Sequence, residues 1–281
     1  MRTAGWWALA LLLGAARPAV AAAEDELVAL INARRAEARD CAGNRAAAVG
    51  PLSPSMTLAR ADANTTAGDL GRALAAAGYR AANATTIVVS GPADAAEAAR
   101  FIDERECAVV RDGRFAEIGV VRTGTTWRIN LARPLLAPDL GDWRAAGRAV
   151  LDLVNEARRR PRRCAERSFA AAPPLAWSDP LAAAALEHST DMARRNYFDH
   201  VDRFGASVGQ RVREQGFRWR FVAENIAAGQ GSPQQVVSGW LASPGHCANL
   251  MAPEFTAMGA AYAIQPGSDL EIFWTQVFGA E

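Results

Sequence analysis

The chain has 281 residues, half of them apolar, with 31 basic and 30 acidic side chains and a formal charge of +1. That balance, spread along the whole length, excludes a basic face for nucleic acid. Every basic residue is arginine, which together with the alanine excess reads as coding bias rather than chemistry.

Residues 1 to 23 open with Arg2, run through the apolar stretch from Trp6 to Leu13 and end in Ala19-Val20-Ala21-Ala22-Ala23. This pattern predicts a secretory signal peptide cut after Ala21 or Ala23. Its apolar core falls short of the ~20 residues of a membrane helix, and no later stretch reaches that length, so the mature chain is expected to have no transmembrane segment. Export to a secreted or periplasmic, oxidising compartment follows. Removing the leader leaves about 258 residues, which suits two domains of about 130.

Leu27 to Arg35 has helical apolar spacing and is followed by Cys41, just as Val150 to Arg158 is followed by Cys164, at an offset of 123. The same offset pairs Leu52-Ser53-Pro54-Ser55 with Leu175-Ala176-Trp177-Ser178, each an entry into a second helix. Gly78 and Gly91 match Gly216 and Gly229 at 138, and Cys107, Phe115 and Gly119 match Cys247, Phe255 and Gly259 at 140. These matches predict an internal repeat. A linker over residues 132–144, with Pro134, Pro138 and Gly141, divides residues 24–131 from residues 145–281. Four cysteines allow three connectivities; Cys41–Cys107 with Cys164–Cys247 alone keeps both bonds within a domain. A metal-thiolate site is the alternative, disfavoured without a Cys-x-x-Cys pair.

Leu181 to Arg195 reads as a helix with Leu181, Ala184, Ala185, His188 and Met192 on one face, so His188 points inward. Gln234 to Ser243 reads as another, entered through Ser232-Pro233 and ending at Ser243-Pro244-Gly245. Thr256 to Ile264 and Leu270 to Phe278 read as an antiparallel hairpin. All three histidines, His188, His200 and His246, lie in the second half. Across the repeat, Glu224 faces Thr86 and His246 faces Glu106. Ala59 to Gly71 is about fifteen residues shorter than Ala182 to Gly209, so the first half lacks any counterpart of His188 and His200.

The blocks His188-Ser189-Thr190-Asp191-Met192-Ala193, Tyr197-Phe198-Asp199-His200, Glu224-Asn225-Ile226-Ala227-Ala228-Gly229, Trp240 to Met251 and Phe273 to Gly279 stand in the order of a known family. Residues 145–281 resemble the bacterial branch of the CAP superfamily, the SCP/PR-1-like proteins. The resemblance implies an α+β fold, an α-β-α sandwich with a small antiparallel sheet, and a cleft lined by His and Glu. By the repeat, residues 24–131 are expected to be a degenerate second copy lacking that cluster.

The family's cleft presents two histidines and two glutamates. His200, Glu224 and His246 match; the second glutamate is Ser243 here. The resemblance implies divalent metal binding in some members, with His200 and His246 as ligands, and no agreed catalytic activity. No cofactor is required on this reading, and zinc or another divalent ion would bind weakly. His188 reads first as a hydrogen-bonded core or cleft-wall histidine. Glu224 reads equally as a backbone anchor and as a functional group, and His200 and His246 as a pair on turns sharing a cleft.

Three functions compete. The favoured one is a non-enzymatic binding module for an apolar or cell-envelope ligand, with His188, His200, Glu224, Ser243 and His246 around the ligand. The second is a metal-assisted hydrolase using His200, Glu224 and His246. The third is a structural, partner-binding tandem.

Overall fold

The computed structural model of the chain describes residues 19–41, 44–61, 67–136 and 140–281. Residues 1–18 of the expected leader and 137–139 of the expected linker lie outside these. Among the described residues, no helix is long and apolar enough to cross a membrane.

The first half begins with α1 (Ala19–Arg35), the hairpin β1 (Arg39–Cys41) and β2 (Asn44–Ala46), β3 (Ser53–Pro54), α2 (Met56–Arg60) and α3 (Ala67–Ala76). It continues with β4 (Ala81–Ser90), α4 (Ala95–Arg105), α5 (Cys107–Val110), β5 (Glu117–Thr123) and β6 (Thr126–Pro134). The second half begins with α6 (Trp143–Arg158), the hairpin β7 (Arg162–Cys164) and β8 (Arg167–Phe169), β9 (Ala176–Trp177), α7 (Asp179–Arg195) and α8 (Val208–Glu214). Then come β10 (Phe221–Ala228), α9 (Pro233–Leu241), α10 (Pro244–Met251), β11 (Ala257–Ile264) and β12 (Ile272–Ala280).

Each half is built on a four-stranded sheet, in the order β3-β5-β6-β4 and β9-β11-β12-β10. Three strands of each are antiparallel, and the two-residue strands β3 and β9 add a parallel edge that the expected antiparallel sheet did not include. The period-2 alternation of β12 makes the second half a sandwich. Ile272, Trp274 and Phe278 join the core with α6 and α9, while Phe273 and Val277 face the cores formed with α7 and α8. Helix α7 starts where Ser178 caps it, with Pro180 in its first turn, and ends at Asn196 in the left-handed conformation. Leu181, Ala184, Ala185, His188 and Met192 are all buried on its inner face.

Corresponding residues of the two halves make the same bonds. The Asn32 carboxamide pairs with both backbone groups of Leu52, at 2.8 and 3.0 Å, and Asn155 does so with Leu175 at the same distances. The buried Arg35 guanidinium donates to the carbonyls of Gly50, Val110, Asp112 and Phe115; the buried Arg158 donates to those of Pro173, Leu250, Ala252 and Phe255. Burial brings Arg35 down to about 9, with Arg111 adding to the shift. A Cβ on Gly119 would sit 2.2 Å from the Ala59 nitrogen, and one on Gly259 2.0 Å from that of Ala182. Helix and strand meet there so closely that only glycine fits.

Cys41 is bonded to Cys107 and Cys164 to Cys247, one bridge in each half. The first half departs from the second in its second helix, five residues in α2 against seventeen in α7. Two expected boundaries move. Ala132 to Pro134, assigned to the linker, complete β6, with Ala132 fully buried and Pro134 at the last rung opposite Ala81. Trp143 and Arg144 open α6, capped by Asp142.

The halves are tightly seated on one another. The buried Gln230 amide donates to the carbonyls of Pro51 and Ala116, the Ser53 hydroxyl to that of Gln235, and Asn32 to that of Ala242. Gln235 also donates to Glu117 Oε1, whose other oxygen accepts from the Tyr79 hydroxyl. A Cβ on Gly239 would fall 2.7 Å from Ser53 Oγ.

Candidate functional site

Glu224 stands in the middle of β10, 6% exposed. Its Oε1 accepts from His200 Nδ1 at 2.9 Å and its Oε2 from Arg211 Nη2 at 2.7 Å. Burial alone would raise its pKa; the His200 hydrogen bond and the positive charge of Arg211 outweigh burial and hold the carboxyl below its usual range. The group is therefore an ion with both oxygens engaged.

Arg211 is the residue that sequence reasoning missed. It lies on α8, 2% exposed, and besides Glu224 it donates to the carbonyls of Ala206 at 2.8 Å and His200 at 3.1 Å. It thus ties the 200–206 loop to the carboxylate. The available signal was its place beside Val212 on the inner face of α8, where a charge needs a buried partner.

His188 is fully buried on α7, with Nε2 2.9 Å from the Asp199 carbonyl and 3.8 Å from Glu224 Oε1. Burial pushes its pKa down, against the opposing pull of Glu224, so the ring is neutral. It packs behind Glu224, bonded to the Asp199 carbonyl. His200, by contrast, is half exposed on the loop after α7.

His246 departs from expectation: it lies in the first turn of α10, not on a turn, because the chain resumes a helix at Pro244 directly after the Ser243 cap. Its Nδ1 is 2.9 Å from Ser243 Oγ, which orients this ring. Burial first, and the nearby His200 second, push its pKa well down. A network missed from the sequence seats α10 on β10. Asn249 donates to Asn225 Oδ1 at 2.9 Å, and Asn225 donates to Gln276 Oε1 at 3.2 Å and to the His246 carbonyl at 3.3 Å.

The fold therefore brings His188, His200, Arg211 and Glu224 into one cluster, with His246 and Ser243 alongside. The donor set does not fit a resident metal: among the described residues no group of three or more His, Cys, Asp or Glu is placed to hold an ion. With Glu224 committed, at most one nitrogen from each of His200 and His246 is left, against three or four ligands in a dedicated zinc site. In the first half, Thr86, the residue expected opposite Glu224, bonds Asn130, and Glu106 holds the N-cap position of α5.

Residues 151–278 match the model of the cysteine-rich secretory protein family, CAP. Over 114 residues the chain is 37% identical to the uncharacterized protein YkwD of Bacillus subtilis, covering 41% of this chain and 42% of that protein. Over 85 residues it is 36% identical to the uncharacterized membrane protein YlbC of the same organism, covering 30% and 25%. The chain thus spans less than half the length of these curated relatives. Among solved structures, an extracellular protein containing a SCP domain from Bacillus anthracis is 23% identical with a TM-score of 0.43, covering 59% of this chain and 60% of that one. Residues 151–278 of this chain are a CAP domain.

Proposed function

We propose that the chain is an exported, non-enzymatic binding module whose cleft around His200, Glu224 and His246 takes an apolar or cell-envelope ligand. The observation behind this reading is the saturation of Glu224. A carboxylate paired with a buried guanidinium and depressed in pKa is a poor general base at neutral pH. Val201, next to His200, leaves its apolar side chain 45% exposed, open to contact with an apolar ligand. Export agrees with two disulfides, which persist in oxidising compartments. The first half, on this proposal, is a degenerate copy of the CAP fold. Its support is the common strand order, the twin Asn32/Asn155 and Arg35/Arg158 bonds and the paired glycines.

Co-sedimentation with phosphatidylglycerol vesicles, beside ester and peptide hydrolysis assays, tests the function. Vesicle binding that weakens in Val201→Ser, with no turnover dependent on the cluster, is expected. Turnover abolished in both His200→Ala and Glu224→Gln would establish the hydrolase instead.

A further inference from the structure

The two sheets end differently. In the second half the edge strand β10 turns the carbonyls of Glu224 and Ile226 away from β12, and the helices beside it answer them. Trp240 Nε1 donates to the Ile226 carbonyl at 3.2 Å and Asn249 Nδ2 to that of Glu224 at 3.4 Å. In the first half the edge strand is β4, and Arg100 and Val109 stand at the positions matched to Trp240 and Asn249. The Gly91 amide, directly after β4, donates to the Thr125 carbonyl, so by antiparallel alternation Ile87 and Val89 point their amides at β6, while Ala84, Thr86, Val88 and Ser90 point theirs outward. Among the described residues, nothing bonds these outward backbone groups.

An open edge is a template for another strand, and proteins ordinarily blunt one with a charge, a proline or a bulge. From Asn83 to Ser90, β4 has none of these; its register shift lies before, between Ala81 and Asn83. Leu70 and Leu74 of α3 pack on the outer face of the sheet around Ala84 and Ala132, and past them Val88 is 56% exposed. We propose that β4 is a dimerisation strand, pairing antiparallel with β4 of a second copy of this chain about a two-fold axis at Ile87. The two four-stranded sheets then become one continuous sheet. The proposal stands whatever the cleft binds.

Two features select a second copy over a foreign strand. An axis at Ile87 engages all four outward residues, setting Thr86 against Val88 of the other copy and Ala84 against Ser90, and the reverse. Each such pair exchanges two hydrogen bonds, and no charge lies within the strand to oppose its own image. The ends are complementary under the same axis. Arg80 and Asp94, both exposed, lie seven residues before and seven after Ile87, so each copy directs a guanidinium to the end where the other carries a carboxylate. A contact of one strand a side is at the small end of protein interfaces, so the dimer is expected to be weak and reversible.

The test is sedimentation velocity over a range of concentrations, with amide hydrogen exchange at the two extremes. A reversible monomer–dimer equilibrium is expected, in which the amides of Thr86 and Val88 gain protection only at high concentration. Those of Ile87 and Val89, bonded to β6 within the chain, should be protected throughout. Val88→Pro removes an outward N–H and leaves the ladder to β6 whole. It is expected to raise the dimer dissociation constant at least about tenfold, since the two-fold axis deletes two donors at once. Val88→Thr should keep the dimer, and Arg80→Glu should weaken it more at low salt than at high. An unchanged melting temperature of the dilute variants separates loss of pairing from loss of fold. A chain monomeric up to millimolar concentration, its edge then left for a strand of another protein, overturns the proposal. So does a dimer that survives Val88→Pro, or one in which the Thr86 and Val88 amides exchange freely.

Discussion

Arg211 Nη2 and Glu224 Oε2 lie 2.7 Å apart, each side chain only 2% exposed. Such a pair gains little net stability against an apolar replacement, yet breaking it is costly because one charge stays buried alone. Arg211→Met is therefore expected to lower the free energy of unfolding by about 3–5 kcal/mol. Adding Glu224→Gln should return a large part of that loss, and urea denaturation of both variants reads it. A loss in Arg211→Met no larger than that of a surface substitution would mean that Glu224 is not ionised in the fold.

The neutral histidines set a pH dependence. His188 and His246 are both depressed in the fold, so below the ordinary imidazole pKa the unfolded chain binds protons that the folded chain refuses. Stability is complete above about pH 6.5 and falls as pH drops, by up to about 1.4 kcal/mol per unit for each fully shifted histidine. Glu224, depressed below the carboxylate range, is expected to add a further loss as pH falls through that range. Denaturation at pH 7.5 and pH 5 checks the sign, and His188→Gln should flatten the slope.

Gly119 and Gly259 should respond alike. An alanine methyl at either overlaps helix backbone, so each substitution is expected to cost about 1–3 kcal/mol or more. Gly245→Ala, with no atom within 4 Å of the added carbon and a helical position, should be neutral or gain up to about 1 kcal/mol. Melting temperatures of the three variants measure this. A silent Gly119→Ala would separate the first half from the second.

Zinc is expected to bind weakly, through nitrogens of His200 and His246 alone. Calorimetric titration of the wild type should give a shallow isotherm that His200→Ala removes. Identical titrations would leave the two rings as scaffold.

The exported chain is expected to begin near Ala22 or Glu24. Glu24 already belongs to the fold, accepting from the Arg122 amide at 2.8 Å. Intact mass of secreted material is the measurement, and retention of Met1 would refute it.

The elements legible in advance were those whose caps and periods agree. Ser178, Pro180 and an unbroken apolar face give α7 nearly residue for residue, and alternation around Gln265-Pro266-Gly267 gives the last hairpin. What escaped were features without a local signature. Ser243-Pro244-Gly245 stops one helix and starts the next, so α10 looked like a turn. The strands β3 and β9 are two residues long and exist only through their partners. Arg211 escaped because its partner is thirteen residues away on another element. Nothing local in Asn225, Asn249 or Gln276 marks their shared network.

Because the Glu224 charge is answered from within by Arg211, the cluster presents an approaching molecule with little uncompensated field from this buried carboxylate. Diffusional encounter with an uncharged ligand would then proceed without steering, and its rate would change little between low and high ionic strength. On the proposed function, discrimination between ligands would fall to the fit around His200 and the 200–206 loop that Arg211 fastens, and so to how slowly a bound molecule escapes.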